Sequence, residues 1–83
     1  ELGSCLVDPT RFAGLHFFNP VHAMKFVEVI QGKDSSEATA DCLQAFAARL
    51  GKITRPFGDS AGFAVNRILA PYMFEAMKLL EEG

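Results

Sequence analysis

The stretch that decides the reading is His16-Phe17-Phe18-Asn19-Pro20, followed by Val21-His22-Ala23-Met24-Lys25 and then Phe26-Val27-Glu28-Val29-Ile30. The apolar run from Phe12 to Phe18 reads as a strand covered on both faces. It delivers a histidine and ends at the Asn-Pro break, because proline cannot donate to a sheet ladder. The second run, Lys25 to Ile30, alternates and is β-branched, which again predicts a strand, and it carries one glutamate in its middle. A carboxylate inside an apolar strand is costly unless it is paired. The partner within reach is His16 on the neighbouring run, and a histidine held by a buried carboxylate is the usual unit of a general base. The alternative is that both groups are structural and satisfied by the backbone of an ordinary sheet, since perturbed ion pairs are often structural.

Upstream, Asp8-Pro9-Thr10 predicts a turn or one helical turn, with Asp8 as its cap and Pro9 in first position. Gly14 inside the first strand suggests a close backbone approach. Downstream, Gln31-Gly32-Lys33 is the exit turn of the second strand. Asp34 or Ser35 is expected to cap a helix, Asp34 and Glu37 having capping-box spacing. That helix runs to about Leu50, with Leu43, Phe46 and Leu50 as its buried stripe and Ala38, Cys42 and Ala47 beside it. Gly51 follows at the position where a left-handed residue ends a helix, and Arg49 suits the last turn.

Ile53-Thr54-Arg55 is a short extended piece before Pro56. Gly58-Asp59-Ser60-Ala61-Gly62 has linker composition and is the candidate domain boundary. From Phe63 to Glu82 the pattern is helical, with Val65, Ile68, Leu69, Tyr72, Met73, Ala76, Leu79 and Leu80 forming a wide apolar stripe. Pro71 within it predicts a kink or a fresh start. No partner helix for this stripe exists in the sequence, so its partners are expected from a longer chain or from another subunit.

The 83 residues suit one small domain or part of a larger one. The chain starts at Glu1 without an initiator methionine, and an excerpt of a longer chain is expected. A net charge of −2 with both signs interspersed gives no basic footprint for nucleic acid. No apolar run approaches the ~20 residues a membrane span needs. Cys5 and Cys42 are too few and too far apart for a metal framework and read as reduced, structural thiols. His22 has no carboxylate or cysteine at ligand spacing and reads as a loop residue.

Gly14-Leu15-His16-Phe17-Phe18-Asn19-Pro20-Val21, Val27-Glu28-Val29-Ile30 and Gly62-Phe63-Ala64-Val65-Asn66-Arg67, in that order, closely resemble the L-3-hydroxyacyl-CoA dehydrogenases. The resemblance covers about Arg11 to Gly83. Val21-His22, Met24 and the ending from Pro71-Tyr72 to Gly83 look more like the dehydrogenase part of multifunctional fatty-acid β-oxidation proteins, which also carry an enoyl-CoA hydratase. The resemblance implies an α/β fold: the end of a Rossmann-type NAD-binding domain over residues 1–58, then a linker and the first helix of an all-α C-terminal domain over 59–83. It implies NAD as cofactor and an acyl-CoA substrate, with 3-hydroxyacyl-CoA oxidised to 3-ketoacyl-CoA. It also implies a homodimer or multienzyme complex, in a bacterial-type cytoplasm or the mitochondrial matrix.

Residue by residue, the resemblance makes His16 the catalytic histidine and Glu28 its carboxylate partner. It places Asn19 near the nicotinamide and makes Asn66 a substrate-contacting residue at the domain junction. For Asn66 the alternative is a capping or solvent-facing residue. Arg67 reads as a solvated charge or ion-pair partner before a CoA contact, and Phe17, Phe18 and Phe63 read as core. Ala61 stands where family members usually have proline. The family's glycine-rich phosphate turn and active-site serine are absent from these 83 residues, so the chain alone is expected to be inactive. Two rival readings stand beside this one: a related NAD-dependent hydroxy-acid dehydrogenase, and a non-catalytic structural or binding protein that keeps the fold.

Overall fold

The computed structural model describes all residues from Glu1 to Gly83. Two short 3-10 segments, Gly3–Cys5 and Pro9–Arg11, lead into β1 (Gly14–Phe17), β2 (Phe26–Gln31), α1 (Glu37–Arg49), β3 (Ile53–Gly58) and α2 (Val65–Glu82). The strands form one sheet in the order β1-β2-β3, with β1 antiparallel to β2 and β3 parallel to it. The architecture is therefore α/β, and β2-α1-β3 is the crossover unit that parallel neighbours require.

β2 is the core. Successive residues of a strand point to opposite faces, yet Val27, Glu28 and Val29 are fully buried and Ile30 is 6% exposed. Both faces of β2 are covered, and α1 can cover only one of them. β1 departs from expectation. It is shorter than Phe12–Phe18, and it is half-buried throughout rather than covered on both sides, because it lies at the edge of the sheet. A Cβ on Gly14 would come 3.3 Å from the Ile30 Cβ, so the close approach expected there is to a side chain of the next strand.

The Pro9–Arg11 turn forms as expected, with the Asp8 carboxylate accepting from the Thr10 N–H at 3.1 Å. The cap of α1 differs: Ser36 takes the position, its Oγ accepting from the Thr39 N–H at 3.2 Å and pairing with Thr39 Oγ1 at 2.9 Å. No Asp34–Glu37 box forms. Ser35 is already engaged, since its Oγ accepts from the Gly32 N–H at 2.8 Å and donates to the Phe12 carbonyl at 2.5 Å.

The buried face of α1 is Ala40 and Ala47 with Leu43 half-buried between them, whereas Ala38, Cys42, Phe46 and Leu50 are exposed. Alanines let the helix approach the sheet, and the larger Phe46 and Leu50 fall to one side of that contact. Gly51 ends the helix with φ +73°, a conformation that costs glycine little.

The extended piece after α1 continues through Pro56 to Gly58 as β3. Proline is tolerated there because β3 is an edge strand. α2 also corrects an expectation: it runs unbroken from Val65 to Glu82 with Pro71 inside it. The carbonyl that Pro71 leaves without a helical donor belongs to Arg67, which is exposed to solvent. No residue of α2 is buried, and Ile68, Tyr72 and Leu80 are 74%, 72% and 83% exposed. Both cysteines are unpaired and exposed rather than structural. No helix is long and apolar enough to cross a membrane.

Candidate active site

His16 and Glu28 are register partners across β1 and β2. Directly opposed residues of an antiparallel pair project to the same face, so the pairing alone sets them side by side. His16 Nδ1 lies 2.7 Å from Glu28 Oε2. The carboxylate is fully sealed, while the imidazole is 27% exposed. An ionised carboxylate only accepts, so Nδ1 carries the shared proton and a neutral ring keeps its lone pair on Nε2.

The second carboxylate oxygen has its own task. Glu28 Oε1 accepts from the Ala64 N–H at 3.0 Å and the Val65 N–H at 2.9 Å. These amides open α2, whose cap position, Ala64, has no capping side chain of its own. Glu28 thus caps the helix from another element, with its negative charge at the positive end of the helix dipole. No buried side-chain polar atom is left without a partner. Burial is the largest influence on the Glu28 carboxyl and pushes its pKa up. The Val65 N–H, the His16 side chain and the Ala64 N–H together outweigh burial and hold it below its ordinary value.

Two aromatic rings complete the surroundings of His16. Phe18 meets the imidazole edge-on at 4.7 Å between centroids, and Phe63 lies tilted against it at 5.1 Å. Both are half-buried and pack on the histidine, a placement their core reading did not specify. Asn19 is exposed just beyond β1, and Asn66 is exposed in the first turn of α2 next to Val65. The structure joins His16 and Glu28 to each other and to the start of α2; neither asparagine is hydrogen-bonded to the pair. Arg67 and His22 are exposed.

Two features escaped sequence reasoning. The amides of Ala64 and Val65 carry no side-chain signal, although an alanine at a helix cap position implies that a cap comes from elsewhere. Lys52 pins the connection that bears Asn19: its Nζ donates to the carbonyls of Val21 at 2.5 Å and Met24 at 2.8 Å. A surface cleft beside the Gly32–Ser35 turn includes neither His16, Glu28, Asn19 nor Asn66.

Residues 1–59 match the family model described as 3-hydroxyacyl-CoA dehydrogenase, NAD binding domain. This chain belongs to that family. A probable 3-hydroxyacyl-CoA dehydrogenase of Caenorhabditis elegans is 53% identical over all 83 residues, which cover 28% of that relative. The α subunit of the fatty acid oxidation complex of Idiomarina loihiensis is 43% identical over the same residues, which cover 12% of it. The crystal structure of the (S)-3-hydroxybutyryl-CoA dehydrogenase of Ralstonia eutropha superposes with a TM-score of 0.91 at 43% identity, over 99% of this chain and 29% of that one. The family's NAD-binding fold therefore ends here as an α/β unit followed by a helix. The chain spans well under a third of the length of these relatives.

Proposed function

We propose that this chain supplies the proton-handling pair of an NAD-dependent 3-hydroxyacyl-CoA dehydrogenase, which oxidises an L-3-hydroxyacyl-CoA to the 3-ketoacyl-CoA in fatty-acid β-oxidation. One observation carries the reading: a partly exposed imidazole is held at Nδ1 by a fully buried carboxylate, which leaves Nε2 to meet a substrate.

In the oxidation direction His16 Nε2 takes the hydroxyl proton as the alcohol carbon becomes a carbonyl. Glu28 stays ionised, keeps the ring in the tautomer that can accept, and stabilises the imidazolium that forms. In reverse the imidazolium returns the proton to the developing alkoxide. NAD supplies the acceptor for the hydride that leaves the same carbon. The residues present fit the nicotinamide end of that cofactor: Asn19 offers an exposed carboxamide, a donor and an acceptor, beyond the strand that bears His16. The phosphates need a glycine-rich turn that these residues do not contain. Asn66 contacts the substrate near its reacting carbon, from the first turn of the helix that Glu28 caps.

Residues 1–58 then close the NAD-binding domain, and residues 59–83 link it to a helical domain that α2 opens. The unburied apolar face of α2 supports this division. A companion domain, a second subunit or a multienzyme complex would cover that face. A cytoplasmic or mitochondrial-matrix setting fits the reaction.

The test is a steady-state assay of the full-length protein with 3-hydroxyacyl-CoA and NAD, following NADH formation. Turnover that collapses in Glu28→Gln supports the reading. Oxidation of a simple hydroxy acid but no acyl-CoA would overturn it in favour of a related dehydrogenase, and no turnover of either would favour a non-catalytic protein.

A further inference from the structure

The turn that precedes α2 is built against preference. Phe63 has φ +49° and is the single non-glycine residue of the chain in the left-handed region, where a bulky side chain is strained. Gly62, with φ +77°, allows the turn to close: a Cβ there would come 3.0 Å from the Arg67 backbone nitrogen. The Phe63 N–H donates to the Ser60 carbonyl at 2.9 Å. The strained turn has two results. It lays the Phe63 ring 5.1 Å from the His16 imidazole, and it aims the next two amides at Glu28 Oε1.

We propose that Phe63 is a positioning residue for His16: with Phe18 it packs on the imidazole that Glu28 holds at Nδ1. A single hydrogen bond at Nδ1 fixes one atom of the ring but leaves the ring free to rock, because the terminal torsion of histidine is broad. Aromatic walls narrow that motion and aim Nε2. The inference rests on the dehydrogenase reading for its kinetic consequences. Its structural part, restraint of the ring, can be measured without turnover.

The experiment compares Phe63→Tyr, Phe63→Leu and Phe63→Gly in the full-length protein. Tyrosine keeps the ring, leucine keeps apolar bulk without it, and glycine removes the ring while relieving the strained φ, so the glycine variant serves if the leucine variant folds poorly. Since small misplacements of a reacting group can cost up to ~100-fold, we expect kcat to fall about 10- to 100-fold in the leucine and glycine variants, with KM for acyl-CoA little changed. Tyrosine should restore most of kcat. By NMR, the His16 Nδ1 proton should exchange with water faster in the leucine and glycine variants than in the parent or the tyrosine variant. Parental kcat in a folded leucine or glycine variant, or a rise in KM alone, or equal losses in all three, overturns the proposal. An inactive parent would overturn the dehydrogenase reading instead, and the exchange rates would still decide whether Phe63 restrains the ring.

Discussion

Glu28 holds two elements at once: its Oε2 is 2.7 Å from His16 Nδ1, and its Oε1 caps α2 through the amides of Ala64 and Val65 at 3.0 and 2.9 Å. The carboxylate that holds the His16 imidazole therefore also fixes the start of the helix carrying Asn66. Changes at Glu28 should appear both in chemistry and in the seating of α2.

Glu28→Gln separates these roles. Its carbonyl can still accept from Ala64 and Val65, which turns its NH2 toward His16 Nδ1. That contact favours the neutral ring with its proton on Nε2, the wrong form for a base. Loss of kcat in the full-length protein should be on the order of 10²- to 10⁴-fold. The capping bonds lose only their charge assistance, so stability should fall by about 1–2 kcal/mol. A folded mutant with normal kcat in the same thermal-melt and kinetic experiment would make Glu28 purely structural.

The same carboxylate sets an acid limit. Its pKa is held below the ordinary 4.5 in the folded state. A group depressed on folding contributes stability that is fully present above its unfolded value and lost as pH falls through the folded one. Denaturant melts from pH 7 to pH 3 should show the parent losing this contribution below about 4.5. Glu28→Gln lacks the titrating group, so the gap between the two proteins should narrow toward pH 3. A gap that stays constant would place the coupling elsewhere.

Asn66→Ala should remove one hydrogen bond to the reacting part of the substrate. The expected loss is about 1–3 kcal/mol of transition-state binding. It should fall on turnover of acyl-CoA and leave NAD affinity nearly unchanged. Isothermal titration with NAD beside kcat/KM measurements checks this, and weakened NAD binding with normal turnover would remove Asn66 from the substrate site.

The cap of α1 gives a test of the fold alone. Ser36→Ala deletes the acceptor for the Thr39 N–H and should destabilise by about 1 kcal/mol. Asp34→Ala, at the position the spacing favoured, should change stability by less than about 0.5 kcal/mol. Chemical denaturation of both variants decides which residue holds the helix.

The 83-residue chain on its own should neither bind NAD at micromolar concentration nor oxidise acyl-CoA. It contains no glycine-rich phosphate turn, and α2 has no buried residue. Calorimetric titration with NAD is the measurement, and micromolar binding by a folded monomer would contradict the expectation.

By itself the sequence determined the local and the periodic features of this protein. A near-continuous apolar run ended by Asn19-Pro20 marked β1, an alternating β-branched run marked β2, the 3.6-residue pattern marked both helices, and Gly51 marked the end of α1, because each depends on neighbours a few residues away. The motif around His16, Glu28 and Asn66 also pointed to the family. Tertiary structure decided what depends on partners distant in the chain. It chose Ser36 over Asp34 as cap once Ser35 was bonded to Phe12 and Gly32. It buried Ala40 and Ala47 in place of Phe46 and Leu50, because which side of a helix meets the sheet is set by the packing of the two elements. It set His16 opposite Glu28 through strand register, and it capped α2 with a residue 36 and 37 positions away from its partners. Backbone amides carry no side-chain signature, so no pattern of residue types announces which carboxylate they will bind.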